Sequence, residues 1–187
     1  MNDLRSRLRS LPAFPAELPG RDVAHLPEDP RELFLRWLEE AIDAGERQPH
    51  AMTVATVGAD GSPALRTLLV KDVDEDGFRF ASKRSSRKAR DIAADPRGAL
   101  LFFWRSSGRQ AEVSGRIAAL SDEESQRDWR ARPSYDGSPN PDWRVWTLRP
   151  DRIQFLQARH DRAHTRVEYL RDAAGWTHRE LDPRTAG

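Results

Sequence analysis

Residues 51–96 read AMTVATVGADGSPALRTLLVKDVDEDGFRFASKRSSRKARDIAADP, and this stretch decides the fold. Three short apolar runs, 51–58, 64–73 and 78–83, are separated by the turn formers GADGSP and DEDG. Runs of that length bounded by Gly, Pro and Asp read as strands joined by hairpins. The third run leads into SSRKARDIAADP (85–96), where a Ser cap and the Asp95-Pro96 stop predict a helix.

The same grammar continues outward. RGALLFFWR (97–105) and QAEVSGRIAAL (110–120) read as strands around the turn SSGR. SDEESQRDWRARP (121–133) carries the Ser-x-x-Glu capping box at Ser121 and Glu124 and stops at Pro133. SYDGSPNPD is loop chemistry throughout. WRVWTLRP and DRIQFLQARHD are two further strand candidates, and RVEYLRD with GWTHREL closes the chain as a hairpin around Asp172–Gly175. Upstream, Leu33, Phe34, Trp37, Leu38 and Ile42 recur at helical spacing behind Asp29 and Pro30, which predicts a helix over about 30–45. Residues 1–28 are rich in Pro and Arg without periodicity and read as a flexible, extended or disordered arm preceding one domain, 29–187. Short strands linked by tight turns, with helices inserted between them, argue a mainly β chain with peripheral helices. The expected fold is an antiparallel barrel, not a parallel βαβ sheet.

Composition narrows the chemistry. The 187 residues include no Cys, so neither a disulfide nor a thiolate metal site is available, which fits a reducing cytoplasm. A net charge of +1 provides no global field for nucleic acid. No apolar run has the length of a membrane span, and the N-terminal stretch lacks the apolar core of a signal peptide. No G-x-G-x-x-G or Walker pattern follows a strand. His160 and His164 lack the H-E-x-x-H context, so no metal site is expected.

Three basic segments carry candidate chemistry. Along Arg66–Lys71, alternation sends Arg66, Leu68 and Val70 to one face and Thr67, Leu69 and Lys71 to the other, so the two cations could serve two anions. The alternative is a surface strand with ordinary end charges. In S-S-R-K-A, Arg87 and Lys88 stand at a helix N-terminus, where cations are unfavourable unless an anion such as phosphate binds between them and the free amides. A solvated basic turn is the alternative there. In RHDRAHTR (159–166), an extended backbone would put Arg162, His164 and Arg166 on one face, where an anionic ligand would relieve their repulsion. A charged loop facing solvent is again the alternative.

Taken in order, these segments resemble the pyridoxamine 5'-phosphate oxidase family. AMTVATVGADGSPALRTLLVK resembles its first hairpin, FRFASKRSSRKA its strand and S-R-K-A helix start, and LLFFWRSSGRQAEVSGR its apolar strand with the R-Q-V-x-V-x-G strand that follows. SQRDWRARP, IQFLQARHDRAHTRVEY and GWTHRELDP complete the series from about 27 to 183. The resemblance implies an FMN-binding split barrel and a homodimer with a shared flavin site. It implies oxidation of pyridoxamine or pyridoxine 5'-phosphate by hydride transfer to flavin, with O2 as acceptor. It places Arg66, Thr67, Leu68, Leu69, Val70, Lys71, Ala81, Ser82, Arg87, Lys88 and Gln110 against FMN, with Arg166 reaching it from the neighbouring subunit. Lys71 and Arg132 would bind the substrate phosphate, and Arg162 and His164 would bracket the reacting substrate as the catalytic pair.

The chain departs from the family pattern at defined positions. The segment between Pro133 and Trp143 is shortened to SYDGSPNPD. Asp128 and Asp136 stand where a tyrosine and a phosphate-binding serine are expected, Leu156 where a tryptophan is expected, and Glu180 replaces the closing arginine. Carboxylates beside a substrate phosphate would repel it. A related flavin oxidoreductase acting on another substrate, such as a dihydro-aromatic phenazine precursor, is therefore an alternative, as is a non-catalytic binder of FMN or pyridoxal phosphate.

Overall fold

A computed structural model describes residues 3–20 and 25–182. Eight antiparallel strands are present: β1 (Ala51–Val57), β2 (Pro63–Asp74), β3 (Gly77–Lys83), β4 (Arg97–Trp104), β5 (Arg109–Ala119), β6 (Trp143–Gln157), β7 (Thr165–Asp172) and β8 (Gly175–Leu181). They run in the order β3-β2-β1-β4-β5-β6-β7-β8, and an added β3–β6 pairing closes the first six into a barrel. The helices are α1 (Leu4–Ser10), α2 (Pro30–Asp43), α3 (Arg87–Ala94) and α4 (Asp122–Arg130).

The barrel splits along β6. Its first half pairs with β3, Trp143 opposite Lys83 through Leu148 opposite Phe78, and so closes the ring. Its second half leaves β3 and pairs with β7, Arg152 opposite Leu170 through Gln157 opposite Thr165. Two separate strands were expected here, divided at Pro150. The structure corrects this to one continuous strand, because Pro150 sits at the register shift beside Gly115, where no ladder hydrogen bond is demanded of its ring nitrogen. The approach is so close that a Cβ on Gly115 would lie 2.1 Å from the Arg149 carbonyl oxygen. Gly77, at φ 135°, makes the equivalent approach to Leu148.

The core follows from strand alternation. Phe78, Phe80, Leu100, Phe102, Trp104, Val113, Ile153 and Phe155 point inward, and α2 plugs the barrel with Leu33, Phe34 and Trp37. Phe34 meets Phe78 and Phe102 edge-on, each at 4.8 Å between ring centroids. Two polar tips in this core are satisfied: Trp104 Nε1 donates to the Pro49 carbonyl at 2.8 Å and the Tyr169 hydroxyl to the Pro27 carbonyl at 2.9 Å. Burial raises the Tyr169 pKa to about 12.

The arm is not extended throughout. Leu4–Ser10 form a helix whose N-cap Asp3 accepts from the Arg5 N–H, a local signal hidden among the alternating Arg and Leu. Farther on, Phe14 meets His164 edge-on at 5.4 Å.

Candidate functional site

β2 delivers its two cations to opposite faces, as alternation requires. Arg66 points inward to the barrel end beside α3. Its guanidinium donates to Thr56 Oγ1 at 2.7 Å and to the Val54 and Ala64 carbonyls, and it lies 3.5 Å from Asp91 of α3. Thr56 in turn donates to Asp91 at 2.8 Å. Arg87 reaches the other Asp91 oxygen at 3.9 Å. Lys88 is half-buried and has no carboxylate partner among the described residues. Burial, then the nearby Arg66 charge, holds its pKa below the usual lysine value. Burial likewise lowers the Arg66 pKa, with Asp91 opposing and Arg87 adding to the effect. Two cations, Arg66 and Arg87, therefore share the buried Asp91 carboxylate, and Lys88 adds a third positive charge near Arg66 beside the N-terminus of α3, which Ser86 caps. This excess of positive charge, beside first-turn N–H groups that point out of the helix, suits a phosphate.

The helix-tip reading of Arg87 and Lys88 thus acquires its partner Arg66 from another strand. Sequence reasoning missed Asp91 and Thr56. The Arg87/Asp91 spacing of four on a helix was the available signal for the first; Thr56 joins only through the β1–β2 register, which sets Val54 opposite Arg66 and Ala64 opposite Thr56. Ala81 and Ser82 lie on β3 where it closes against β6, opposite Val145 and Arg144. The Ser82 hydroxyl is buried without a hydrogen-bond partner.

The outer face of the sheet forms a second region. Thr67 and Leu69 face outward on β2, while Leu68 and Val70 turn inward. Residues opposite each other in register share a face, so Phe103, Gln110, Leu156 and Arg166 form one row across β4 to β7. Gln110 and Arg166 line the same cavity of about 400 Å³, together with Leu101, Glu112, Arg152 and Leu156. One wall is an ion-pair ladder: Arg152 bonds Glu168 at 2.7 Å and Glu112 at 3.2 Å, and Arg179 bonds Glu168 at 2.7 Å.

Lys71 and Arg132 form a third region. Lys71 Nζ lies 3.9 Å from Asp128 Oδ1 in a recess of about 270 Å³. The other Asp128 oxygen accepts from the Trp143 indole at 2.8 Å. Arg132 stacks over both Trp129 and Trp143, at 4.9 and 4.5 Å from the ring centroids. Asp128 thus lies beside Lys71, one of the two residues that the family resemblance implies for a substrate phosphate. Asp136 accepts from the Ser138 N–H at 2.9 Å within its own turn.

The shared face expected for Arg162, His164 and Arg166 does not form within the chain. Residues 158–164 turn instead of extending. Asp161 pairs with Arg159 and accepts from the Ala163 N–H, while Arg162 takes φ 63° and donates its N–H to the Arg159 carbonyl. These local bonds outcompete the strand. His164 Nδ1 accepts from the Arg159 N–H at 3.0 Å, which leaves the proton of the neutral ring on Nε2. Burial, then the Arg166 charge, lowers its pKa, with Asp161 opposing. Arg162 and His164 line neither the Gln110 cavity nor the Lys71 recess.

Residues 38–157 match the family model described as pyridoxamine 5'-phosphate oxidase, and residues 143–183 match the one described as the pyridoxine 5'-phosphate oxidase C-terminal dimerisation region. The chain is 39% identical over 198 aligned residues to a pyridoxine/pyridoxamine 5'-phosphate oxidase of Burkholderia cenocepacia, covering 87% of this chain and 92% of that one. A protein of the same description from Rubrobacter xylanophilus is 36% identical, with 83% and 87% covered. Among solved structures, PhzG from Burkholderia lata in complex with tetrahydrophenazine-1-carboxylic acid superposes with a TM-score of 0.83 at 26% identity, covering 89% of this chain and 98% of that one. An FMN-binding protein from Nostoc punctiforme shares the fold at TM-score 0.72 and 20% identity, with 86% and 99% covered. With the barrel, the order of its motifs and these relatives in agreement, the chain belongs to the pyridoxamine 5'-phosphate oxidase family and is an oxidoreductase of that type.

Proposed function

We propose that the protein is an FMN-dependent oxidase of pyridoxamine and pyridoxine 5'-phosphate, acting in the cytoplasm as a homodimer. The observation that carries the reading is the convergence of Arg66, Arg87 and Lys88 at the tip of α3, where the half-buried Lys88 has no carboxylate partner among the described residues. The residues present fit the flavin phosphate: its charge would offset the desolvation of Lys88, and the unpartnered Ser82 hydroxyl is a donor at the β3 edge. Bound FMN supplies the hydride acceptor for the C4' carbon, with O2 as the terminal oxidant.

The chain's own residues then divide the work. Arg66, Arg87 and Lys88 hold the phosphate. Gln110, with Thr67 and Leu69 on the same outward face, supports the ring. Arg166 of the partner subunit adds a further contact. Lys71 and Arg132 orient the substrate tail, and Arg162 and His164 bracket the reacting carbon, His164 as a neutral ring with a donor at Nε2. The separation of the Arg162–His164 turn from the Lys71 recess supports the dimer, because a second copy brings a turn to each recess without refolding either. The exposed Leu65, Leu69, Leu101 and Phe103 on the outer sheet face supply the apolar surface for that association.

The purified protein is expected to be yellow, and anaerobic addition of pyridoxamine 5'-phosphate is expected to bleach its visible absorbance. A colourless chain that takes up no FMN would defeat the reading. One observation favours a second substrate class: Asp128 beside Lys71, together with the structural similarity to PhzG in complex with a phenazine-type carboxylic acid. Faster bleaching by a dihydro-aromatic carboxylic acid than by pyridoxamine 5'-phosphate would select it.

A further inference from the structure

We infer that Asp128 is a specificity-determining residue that removes most of the advantage of a phosphorylated substrate, so that unphosphorylated pyridoxine-type rings are accepted nearly as well. The inference rests on the functional reading above and deepens it. The cations of the recess are Lys71, Arg79 and Arg127; its carboxylates are Asp72, Glu124 and Asp128, so the two signs balance. Arg79 is already committed to Asp74 at 2.6 Å and to Glu124 at 3.6 Å. Arg127 pairs along its own helix with Glu123 at 3.4 Å. Lys71 remains as the cation aimed at an incoming tail, and Asp128 lies 3.9 Å from its ammonium.

Asp128 cannot swing away freely, because its second oxygen holds the Trp143 indole at 2.8 Å. The same indole carries Arg132 on its face at 4.5 Å. A dianionic phosphate entering beside Lys71 therefore meets a fixed carboxylate within the same few ångströms, where attraction and repulsion nearly cancel. An uncharged hydroxymethyl tail meets no such repulsion and can donate a hydrogen bond to the carboxylate. Arg132, stacked on Trp143, still attracts a phosphate, and it accounts for the residual preference that survives the opposition of Lys71 and Asp128.

Asp128→Asn is the decisive variant, since its amide oxygen still accepts from the Trp143 indole while the charge is gone. Asp128→Tyr is the second, guarding against a fold-specific failure of the first. The measurement is equilibrium binding of pyridoxal 5'-phosphate and of pyridoxal to the FMN-loaded protein, read from tryptophan fluorescence. The wild-type protein is expected to prefer the phosphorylated ring by less than about tenfold, and each variant to widen that preference by about tenfold, the equivalent of about 1.4 kcal/mol. Lys71→Met is expected to reduce phosphate affinity far more in the Asp128→Asn background than in the wild type, a coupling that a purely structural role would not produce. A ratio unchanged in both variants, or a strong wild-type preference for the phosphate, overturns the inference alone. Failure of FMN loading, or no binding of either ring by any variant, overturns the functional reading and the inference with it.

Discussion

Lys88 and His164 show how the same physics gives two side chains opposite pH behaviour. Lys88 loses solvation and sits near Arg66, so its pKa is lowered, yet it must be protonated to hold a phosphate. FMN affinity is therefore expected to fall as pH rises through that lowered pKa, earlier than a free lysine at 10.5 would allow. Lys88→Arg, whose charge persists, is expected to remove this alkaline limb in a fluorescence titration of flavin binding. Lys88→Ala and Arg66→Ala should each weaken binding by about 1.5–3 kcal/mol, the range of a charged hydrogen bond. His164 has a folded pKa below its unfolded value of 6.5. The unfolded chain then binds the proton first, so this residue's contribution to stability is intact above pH 6.5 and declines as pH falls below it. Urea midpoints across about pH 5–7 test this, and His164→Asn should flatten the slope. A wild-type midpoint independent of pH there would count against a desolvated His164.

At the scale of elements, β6 is the hinge of the architecture. Its two halves serve the barrel and the β7–β8 leaf, and the transition is made at Gly115 and Pro150. Gly115→Ala is expected to destabilise the fold by about 3 kcal/mol, since a Cβ there would collide with backbone that has nowhere to move. Chemical denaturation of the variant reads this directly. The leaf is pinned by Glu168, whose carboxyl is held below the usual range by hydrogen bonds from Arg152 and then Arg179. Glu168→Gln should cost about 2 kcal/mol at pH 7, as expected for lost charge-assisted hydrogen bonds. Because the folded pKa is depressed, that contribution is present above 4.5 and vanishes as pH falls through the folded value. The gap between wild type and variant should therefore close on acidification.

For the whole molecule, the outer sheet face connects fold to function. Leu101 and Phe103 are exposed on the same face as the row that carries Gln110, Leu156 and Arg166. Replacing both with Asp is expected to yield a folded monomer on gel filtration and to abolish flavin retention together with the dimer. A monomeric variant that keeps FMN would show that one copy builds the whole site. No helix among the described residues is long and apolar enough to cross a membrane.

Much of this was legible in local pattern. The hairpins around GADGSP and DEDG, the Ser cap ahead of α3 and the Ser121–Glu124 capping box depend only on neighbours in the chain, and they formed as read. Sequence by itself also singled out Arg66, Arg87, Lys88 and Lys71 as cations that could serve anions, with a solvated surface as the alternative. What it could not determine was which of them meet, because that depends on strand register and barrel closure. Only the tertiary structure decided that Asp91 and Thr56 join Arg66, that Asp128 faces Lys71, and that Pro150 lies within one strand. The turn at Arg162 likewise escaped the extended reading, since short-range bonds from Asp161 and Arg159 outweighed its strand-like spacing.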